Sequence, residues 1–352
     1  MQNQFWPRGG VAGILHHYTE SLVAFEYTSS KISQQPNSIL FVGGLGDGLA
    51  TTSYTSDLVR TLQSTKWSLF TLNLSSSHNQ WGLGHLDRDT NEIAKCVQYI
   101  QHYKAAKYGG KPKLVIMGHS TGSQCVLHYL YRPNPHTTKT PFDPYLEHRE
   151  RPAVDGAIMH SPVSDREAIM TVLREGFNGL SPEEVQSKWA KAEEFAQEST
   201  KDGQQSDTII PLWMTAPIYS NVPITCRRFL SLASPSSPDL PGDDDLFSSD
   251  LSDAQLQRTF GKVHERGLLG TKLMVVMSGR DQSVPAYVNK ENLLSRWQAA
   301  TDGAATGTIW DQEHSGIIPN ASHALSDPDQ AAPREWLCKR VLSYLDGIEK
   351  KH

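Results

Sequence analysis

A strand, turn and helix in immediate succession at residues 114–131 constrain this chain more than any other feature. Leu114 to Met117 is a short apolar run that reads as a buried strand, it ends on Gly118, and Thr121 to Tyr131 continues at once in a helix-forming pattern. Between them stands Gly118-His119-Ser120-Thr121-Gly122, the pattern G-x-S-x-G. So short a pattern occurs by chance, and the flanks decide its meaning. A strand entering and a helix leaving are the geometry of a nucleophile elbow, a tight turn that exposes a serine hydroxyl above a sheet. The two glycines have a steric reason, because side chains beside Ser120 would collide with the adjoining strand and helix.

The rest of the first half supports the same architecture. Short apolar runs alternate with helical patterns, the signature of a mostly parallel sheet. Gly13 to Tyr18 and Leu22 to Tyr27 read as a leading strand pair, and Ser38 to Val42 as a buried strand running into Gly43-Gly44-Leu45-Gly46-Asp47-Gly48. Tyr54 to Leu62 reads as helix, Trp67 to Leu74 as strand, Asp87 to Tyr103 as an amphipathic helix and Val154 to Met159 as another strand. A Pro- and His-rich loop, Pro133 to Pro152, precedes that last strand. From about Ser164 to Gly270 the alternation stops: Glu167 to Arg174 and Pro182 to Gln197 are helical, and Ser234 to Asp253 is rich in Ser, Pro and Asp. So long an interruption reads as an inserted cap rather than a loop. The sheet resumes with Lys272 to Met277, a helix near Val288 to Trp297, a strand within Thr306 to Ile318 and a last helix from Pro333 to Ile348. The expectation is an α/β-hydrolase fold with core residues 1–163 and 271–352 and a cap or lid at 164–270.

A serine hydroxyl needs a base to take its proton, and in this fold the acid and then the histidine follow the serine in the chain. The run after Lys272 to Met277 is Ser278-Gly279-Arg280-Asp281, which puts Asp281 at the carboxyl edge of the sheet, where open α/β sheets bind ligands. Asp165, after the strand ending at Met159, is the rival acid. His323 follows the apolar pair Ile317-Ile318 and precedes the last helix, so it can fold back over the elbow. His314, beside Glu313, is the competing base and reads as a polar turn residue. The oxyanion formed on attack needs two backbone donors. The amide of Thr121 is one, and Leu45, beside the glycine pair, supplies the other. A phosphate-loop reading of Gly43 to Gly48 fails for want of a following Gly-Lys-Ser/Thr.

Composition limits the alternatives. The chain has 352 residues, of which 38% are hydrophobic and 20% charged, enough apolar content for a sizeable core. A net charge of -5 without basic clusters argues against nucleic acid. Met1 to Gly13 carries Arg8 but no apolar run of secretory type, and nothing is long enough to span a bilayer. Cys96, Cys125, Cys226 and Cys338 lie far apart, as reduced buried thiols of a cytoplasmic protein would. His16 and His17 read as one strand with a ring on each face. Asp243-Asp244-Asp245 reads either as a solvated acidic loop or as a patch that steers cationic substrates. Neither a metal nor an organic cofactor is expected.

The elbow GHSTGSQ, the loop FVGGLGDG, the run SGRDQSVP and the pieces RRFLSLASP and DDDLFSSDLSD together resemble a fungal and plant α/β-hydrolase family long catalogued as uncharacterised, whose fungal members include intracellular siderophore esterases. The resemblance runs from about Gly13 to the last helix. It implies a serine esterase acting on fusarinine-type hydroxamate siderophores, which carry free amines, and thereby releasing iron brought in as a chelate. It also implies Ser120, Asp281 and His323 as nucleophile, acid and base. The alternatives on the same frame are a general carboxylesterase, lipase, peptidase or thioesterase, or a binding protein that has lost turnover.

Overall fold

The computed structural model describes residues 10–136, 142–201, 206–303 and 308–350. Residues 1–9 with Arg8, residues 137–141 of the Pro- and His-rich loop, and residues 306–307 at the start of the last strand candidate lie outside the described residues.

Among the described residues eight strands form one sheet: β1 (Gly13–His17), β2 (Val23–Tyr27), β3 (Asn37–Val42), β4 (Trp67–Leu72), β5 (Leu114–His119), β6 (Gly156–His160), β7 (Leu273–Ser278) and β8 (Gly316–Ile318). Their spatial order is β1-β2-β4-β3-β5-β6-β7-β8. The hairpin β1-β2 is antiparallel and joins β4 in the same sense, whereas every later pairing is parallel. Strands β3 to β7 are buried along their whole length, as a parallel sheet covered on both faces requires. Neighbouring residues point to opposite faces: Leu40, Val42 and Ile116 join one apolar cluster, Ile39, Phe41 and Val115 the other.

The helices are α1 (Thr55–Leu62), α2 (Leu86–Tyr108), α3 (Thr121–Tyr131), α4 (Asp165–Glu175), α5 (Pro182–Thr200), α6 (Leu212–Tyr219), α7 (Cys226–Ala233), α8 (Asp253–Thr259), α9 (Val263–Arg266), α10 (Lys290–Asp302) and α11 (Ala331–Lys350). Helices α1 and α11 cover one face of the sheet, α2, α3 and α10 the other. Most sequence expectations differ from these bounds by a few residues at an end. The last strand is much shorter than its candidate run, although Trp310 adds an isolated bridge to Leu273.

Among the described residues six helices, α4 to α9, lie between β6 and β7. Ser181 and Glu184 make a reciprocal capping box that starts α5, with Pro182 in its first turn. Ile169, Trp189, Ile210, Ile224 and Phe229 build a third apolar cluster, closed from below by Trp81 and touched by Leu45. By contrast Leu246, Phe247, Leu251, Leu256, Phe260 and Val263 pack into the cluster of the sheet itself. The inserted stretch therefore has two interiors: residues 169–233 share their own, and the part from Leu246 onward shares that of the core.

Two of the three residues of the acidic triplet are neither solvated nor free to steer a ligand. Asp244 and Asp245 are buried, and only Asp243 is exposed. Arg228 Nη1 donates to both carboxylate oxygens of Asp244 at 2.5 and 2.6 Å. Asp245 meets Arg166 at 3.1 Å and accepts from Ser237 and Ser248. Charges so paired project little field toward a ligand, and the segment that looks like a polar loop is an internal ionic belt.

His16 is buried against Glu26 and Tyr99 while His17 is exposed, one ring on each face of β1. All four cysteines are unpaired and buried.

Candidate active site

Ser120 sits between β5 and α3 with φ 54 and ψ -124, a backbone conformation that non-glycine residues seldom adopt. The surroundings hold it there. Its amide donates to the His160 carbonyl of the adjacent strand at 3.0 Å, and its carbonyl accepts from the Ser123 amide at 2.8 Å. A Cβ on Gly118 would stand 2.2 Å from the Gly122 carbonyl oxygen, and one on Gly122 would stand 2.2 Å from that of Val42. Only glycines admit this close passage of β3, β5 and α3, the steric reason expected from the sequence.

Asp281 and His323 reach Ser120 from loops after the last two strands. Asp281 follows β7 and His323 follows β8, and the two loops are tied together by Gly279 N to Ile318 O at 2.9 Å and Arg280 N to Ala321 O at 2.8 Å. His323 Nε2 lies 2.8 Å from Ser120 Oγ, and His323 Nδ1 lies 2.8 Å from Asp281 Oδ2. A carboxylate only accepts, so Nδ1 carries the hydrogen and Nε2 is free to take the serine proton. Asp281 is 5% exposed and accepts from the Ser283 amide through its other oxygen at 2.9 Å, and the His323 amide is held by Gln282 Oε1 at 3.0 Å.

The glycine loop after β3 closes the site from the other side. Asp47 N donates to Gly44 O at 3.0 Å, which closes a turn with Leu45 and Gly46 at its centre. Gly46 has φ 82, the value a type II turn requires at its third position. Leu45 is the second residue of that turn. A Cβ on Gly44 would lie 2.9 Å from Ser120 Cβ, so the loop runs right against the elbow. The Thr121 amide is the first of α3, one of those a helix leaves without an internal acceptor. Asp47 was not legible as a functional residue, yet its Oδ2 accepts from Gly44 N at 2.8 Å and from Thr52 Oγ1 at 2.9 Å, which fixes the turn. Its signal was an Asp inside a glycine loop followed by Thr51-Thr52.

Behind the base lies a layer that sequence reasoning also missed. His119 and His160 pair across β5 and β6, with Nδ1 to Nδ1 at 3.2 Å, and His160 Nδ1 is 2.8 Å from Tyr54 Oη. Burial pushes His119 well below the ordinary histidine value, and burial with the nearby His323 holds His160 at about 3. Both rings are therefore neutral at physiological pH.

The two rival residues are placed elsewhere. Asp165 starts α4 and accepts from Gln124 Nε2 at 2.7 Å, while Asp281 occupies the Nδ1 side of His323. His314 precedes β8, at the opposite edge of the sheet, where Nδ1 meets Asp311 at 2.9 Å and Nε2 meets Ser343 Oγ at 3.0 Å. It is a buried turn residue, and its polarity is used internally.

The site thus holds a hydroxyl beside an imidazole and an imidazole beside a carboxylate, an arrangement able to carry acyl transfer. Comparison with known proteins agrees with that chemistry. The chain is 60% identical over 355 residues to a protein of Aspergillus fumigatus named Fusarinine C esterase sidJ, a match covering 99% of this chain and 100% of the relative. It is 48% identical to Esterase AN6793 of Emericella nidulans, covering 97% and 94% of the two chains. The solved Siderophore hydrolase EstB from Aspergillus fumigatus superposes with a TM-score of 0.88 at 58% identity, covering 98% of this chain and 100% of that one. Residues 1–346 match the family described as "Protein of unknown function (DUF1749)", and the chain belongs to that family of α/β-hydrolases.

Proposed function

We propose that this DUF1749 member is a serine esterase that cleaves ester bonds of fusarinine-type hydroxamate siderophores through an acyl-enzyme. The observation that carries the reading is the unbroken line Asp281, His323, Ser120 at 2.8 Å per step, alongside the named activities of its 60% and 58% identical relatives.

In this reading Ser120 Oγ bonds to the ester carbonyl carbon as its proton passes to His323 Nε2. The resulting oxyanion is received by the Leu45 and Thr121 amides, each such donor contributing about 3 kcal/mol in the transition state. Asp281 keeps the imidazole in its tautomer and balances the imidazolium. The carbon-oxygen bond to the leaving alcohol then breaks, and that alcohol takes the proton from Nε2. Water, deprotonated by the same nitrogen, attacks the acyl-enzyme, releases the acid and returns the proton to Ser120. Every proton is accounted for by Ser120, His323, water and substrate.

We read residues 164–270 as a cap inserted between core segments 1–163 and 271–352, with the apolar cluster of α4 to α7 as its roof. Among the described residues no helix is long and apolar enough to cross a membrane. We read the protein as cytoplasmic, freeing iron from an imported chelate by shortening the ligand that holds it. Unpaired Cys96, Cys125, Cys226 and Cys338 support a reducing compartment.

A fluorophosphonate probe and an ester panel test this reading. Labelling at Ser120, with fusarinine-type esters preferred over short and long nitrophenyl esters, is the expected result. Preference for long-chain nitrophenyl esters would instead indicate a lipase, and an unlabelled Ser120 a binding scaffold without turnover.

A further inference from the structure

Lys290 opens α10, an unfavourable place for a cation, because the amides a helix leaves free at its start favour negative charge. What the side chain meets there accounts for it. Lys290 is half-buried, and its Nζ donates to the carbonyl of Gly279 at 2.8 Å. Gly279 follows β7 directly and stands two positions before Asp281, and its amide is already held by Ile318 O at 2.9 Å. Both backbone groups at the root of the acid loop are therefore engaged.

Lys290 and Asp281 also line one groove of about 510 Å³, with Gly279, Val288, Glu291 and Ile317 around them. Neither Ser120 nor His323 lines that groove, so Lys290 acts on the chemistry through the acid and its loop. The two charges feel each other: burial lowers the Lys290 ammonium below the ordinary lysine value, and the carboxylates of Asp281 and Glu291 work against that. The other charged groups on this side are exposed or engaged. Glu291 is exposed, Arg280 pairs with Asp329 at 3.3 Å, and the Tyr287 hydroxyl donates to Glu167 at 3.4 Å. Around the base itself, Asp165 acts on His323 as a negative charge, while His119 and His160 are neutral.

Resting on the esterase reading above, we propose that Lys290 is a positioning residue of the triad: it holds the Asp281 loop by the Gly279 carbonyl, offsets part of the Asp281 charge, and thereby keeps the base free of protons at lower pH than the acid alone would allow. Asp281 points one oxygen at His323 Nδ1 and the other at the Ser283 amide, an alignment that depends on how the chain leaves β7. Fixing Gly279 fixes that departure. A carboxylate also favours an imidazolium over an imidazole, and a base already protonated cannot take the serine proton. A cation beside the carboxylate weakens that pull without breaking the hydrogen bond. Because Lys290 is only half-buried, water and salt screen it in part and the effect is moderate.

The test is the pH profile of kcat/KM for nitrophenyl acetate in the parent, Lys290→Met, Lys290→Gln and Lys290→Arg, a profile that reports on the base of the free enzyme. In the Met and Gln variants the midpoint of the acid limb is expected to rise by about half a pH unit, which is about a threefold loss of kcat/KM on that limb. Lys290→Arg is expected to bring it back to within about 0.2 unit of the parent. A midpoint that Lys290→Gln leaves within about 0.1 unit of the parent overturns the proposal, as does a shift that Lys290→Arg fails to reverse. A Lys290 that only packed would lower the melting temperature or the plateau and leave the midpoint in place. Should Lys290→Met not fold, Lys290→Gln, which keeps a donor and loses the charge, decides alone. Fluorophosphonate labelling separates the two levels. A parent labelled at Ser120 whose variants keep its midpoint ends the role of Lys290 and keeps the esterase, whereas an unlabelled parent ends both.

Discussion

The ring of His119 lies 5.1 Å, centroid to centroid, from that of His323 and is tilted 43° against it. His119 is neutral because burial, with His323 and His160 beside it, holds it far below its ordinary value. In the proposed mechanism His323 becomes cationic during turnover, and the two uncharged imidazoles of His119 and His160 stand beside it.

Those imidazoles make stability depend on pH. A histidine whose folded value lies below its unfolded one binds fewer protons when folded, so its contribution is lost as pH falls from 6.5 toward the folded value, about 3 for His160. Compared with His160→Gln, the parent should lose about 1.4 kcal/mol of relative stability per pH unit below 6.5. Urea unfolding of both proteins at pH 7, 6 and 5 measures this. A difference that stays constant across the three would mean that His160 titrates normally in the folded protein.

Substitution separates chemistry from packing. Ser120→Ala and His323→Ala should each lower kcat by about a thousandfold or more. His314→Ala should instead lower the unfolding free energy by about 1–3 kcal/mol, since it strands Asp311 and Ser343, with kcat within a few-fold of the parent. An inactive His314→Ala enzyme beside an active His323→Ala enzyme reverses the assignment of the base.

The Arg228–Asp244 pair gives a stability test. Both residues are 2% exposed, so Arg228→Ala should cost about 3–5 kcal/mol by leaving Asp244 charged and unpaired. The double variant Arg228→Met with Asp244→Leu should be less destabilised than the single one, as seen in denaturant midpoints. If the double variant is worse, packing around the ions matters more than their charge.

Gly44 tests the turn beside the elbow. In Gly44→Ala the added methyl would stand 2.9 Å from Ser120 Cβ, so the turn or the serine must shift. We expect kcat to fall about a hundredfold, the scale of one lost oxyanion donor, with a melting temperature close to that of the parent. Undiminished turnover would show that the loop yields without moving the Leu45 amide.

The sequence announced the elbow because every determinant of it is local: strand, glycines and helix stand within 18 consecutive positions, 114–131. The loops of Asp281 and His323 were nearly as plain, since each follows an apolar run and the chain order admits few candidates. Asp244 was opaque for the opposite reason. Its partner Arg228 is 16 positions away on another element, and a polar string without its partners is indistinguishable from a solvated one. The contact of His119 with His160 depends on the parallel register of β5 and β6, which no local pattern encodes. The inserted stretch was recognisable by its broken alternation, but the division of its apolar residues between two clusters is a tertiary property.

That division has a consequence for how such proteins diversify. The roof formed by Trp189, Ile210, Ile224 and Phe229 has its own apolar interior and meets the reactive rim through few residues, Leu45 and Trp81 among them. We expect mutations that reshape this cluster to leave the strand ends bearing Ser120, Asp281 and His323 undisturbed. Descendants are free to explore new ester partners while inheriting the same chemistry intact.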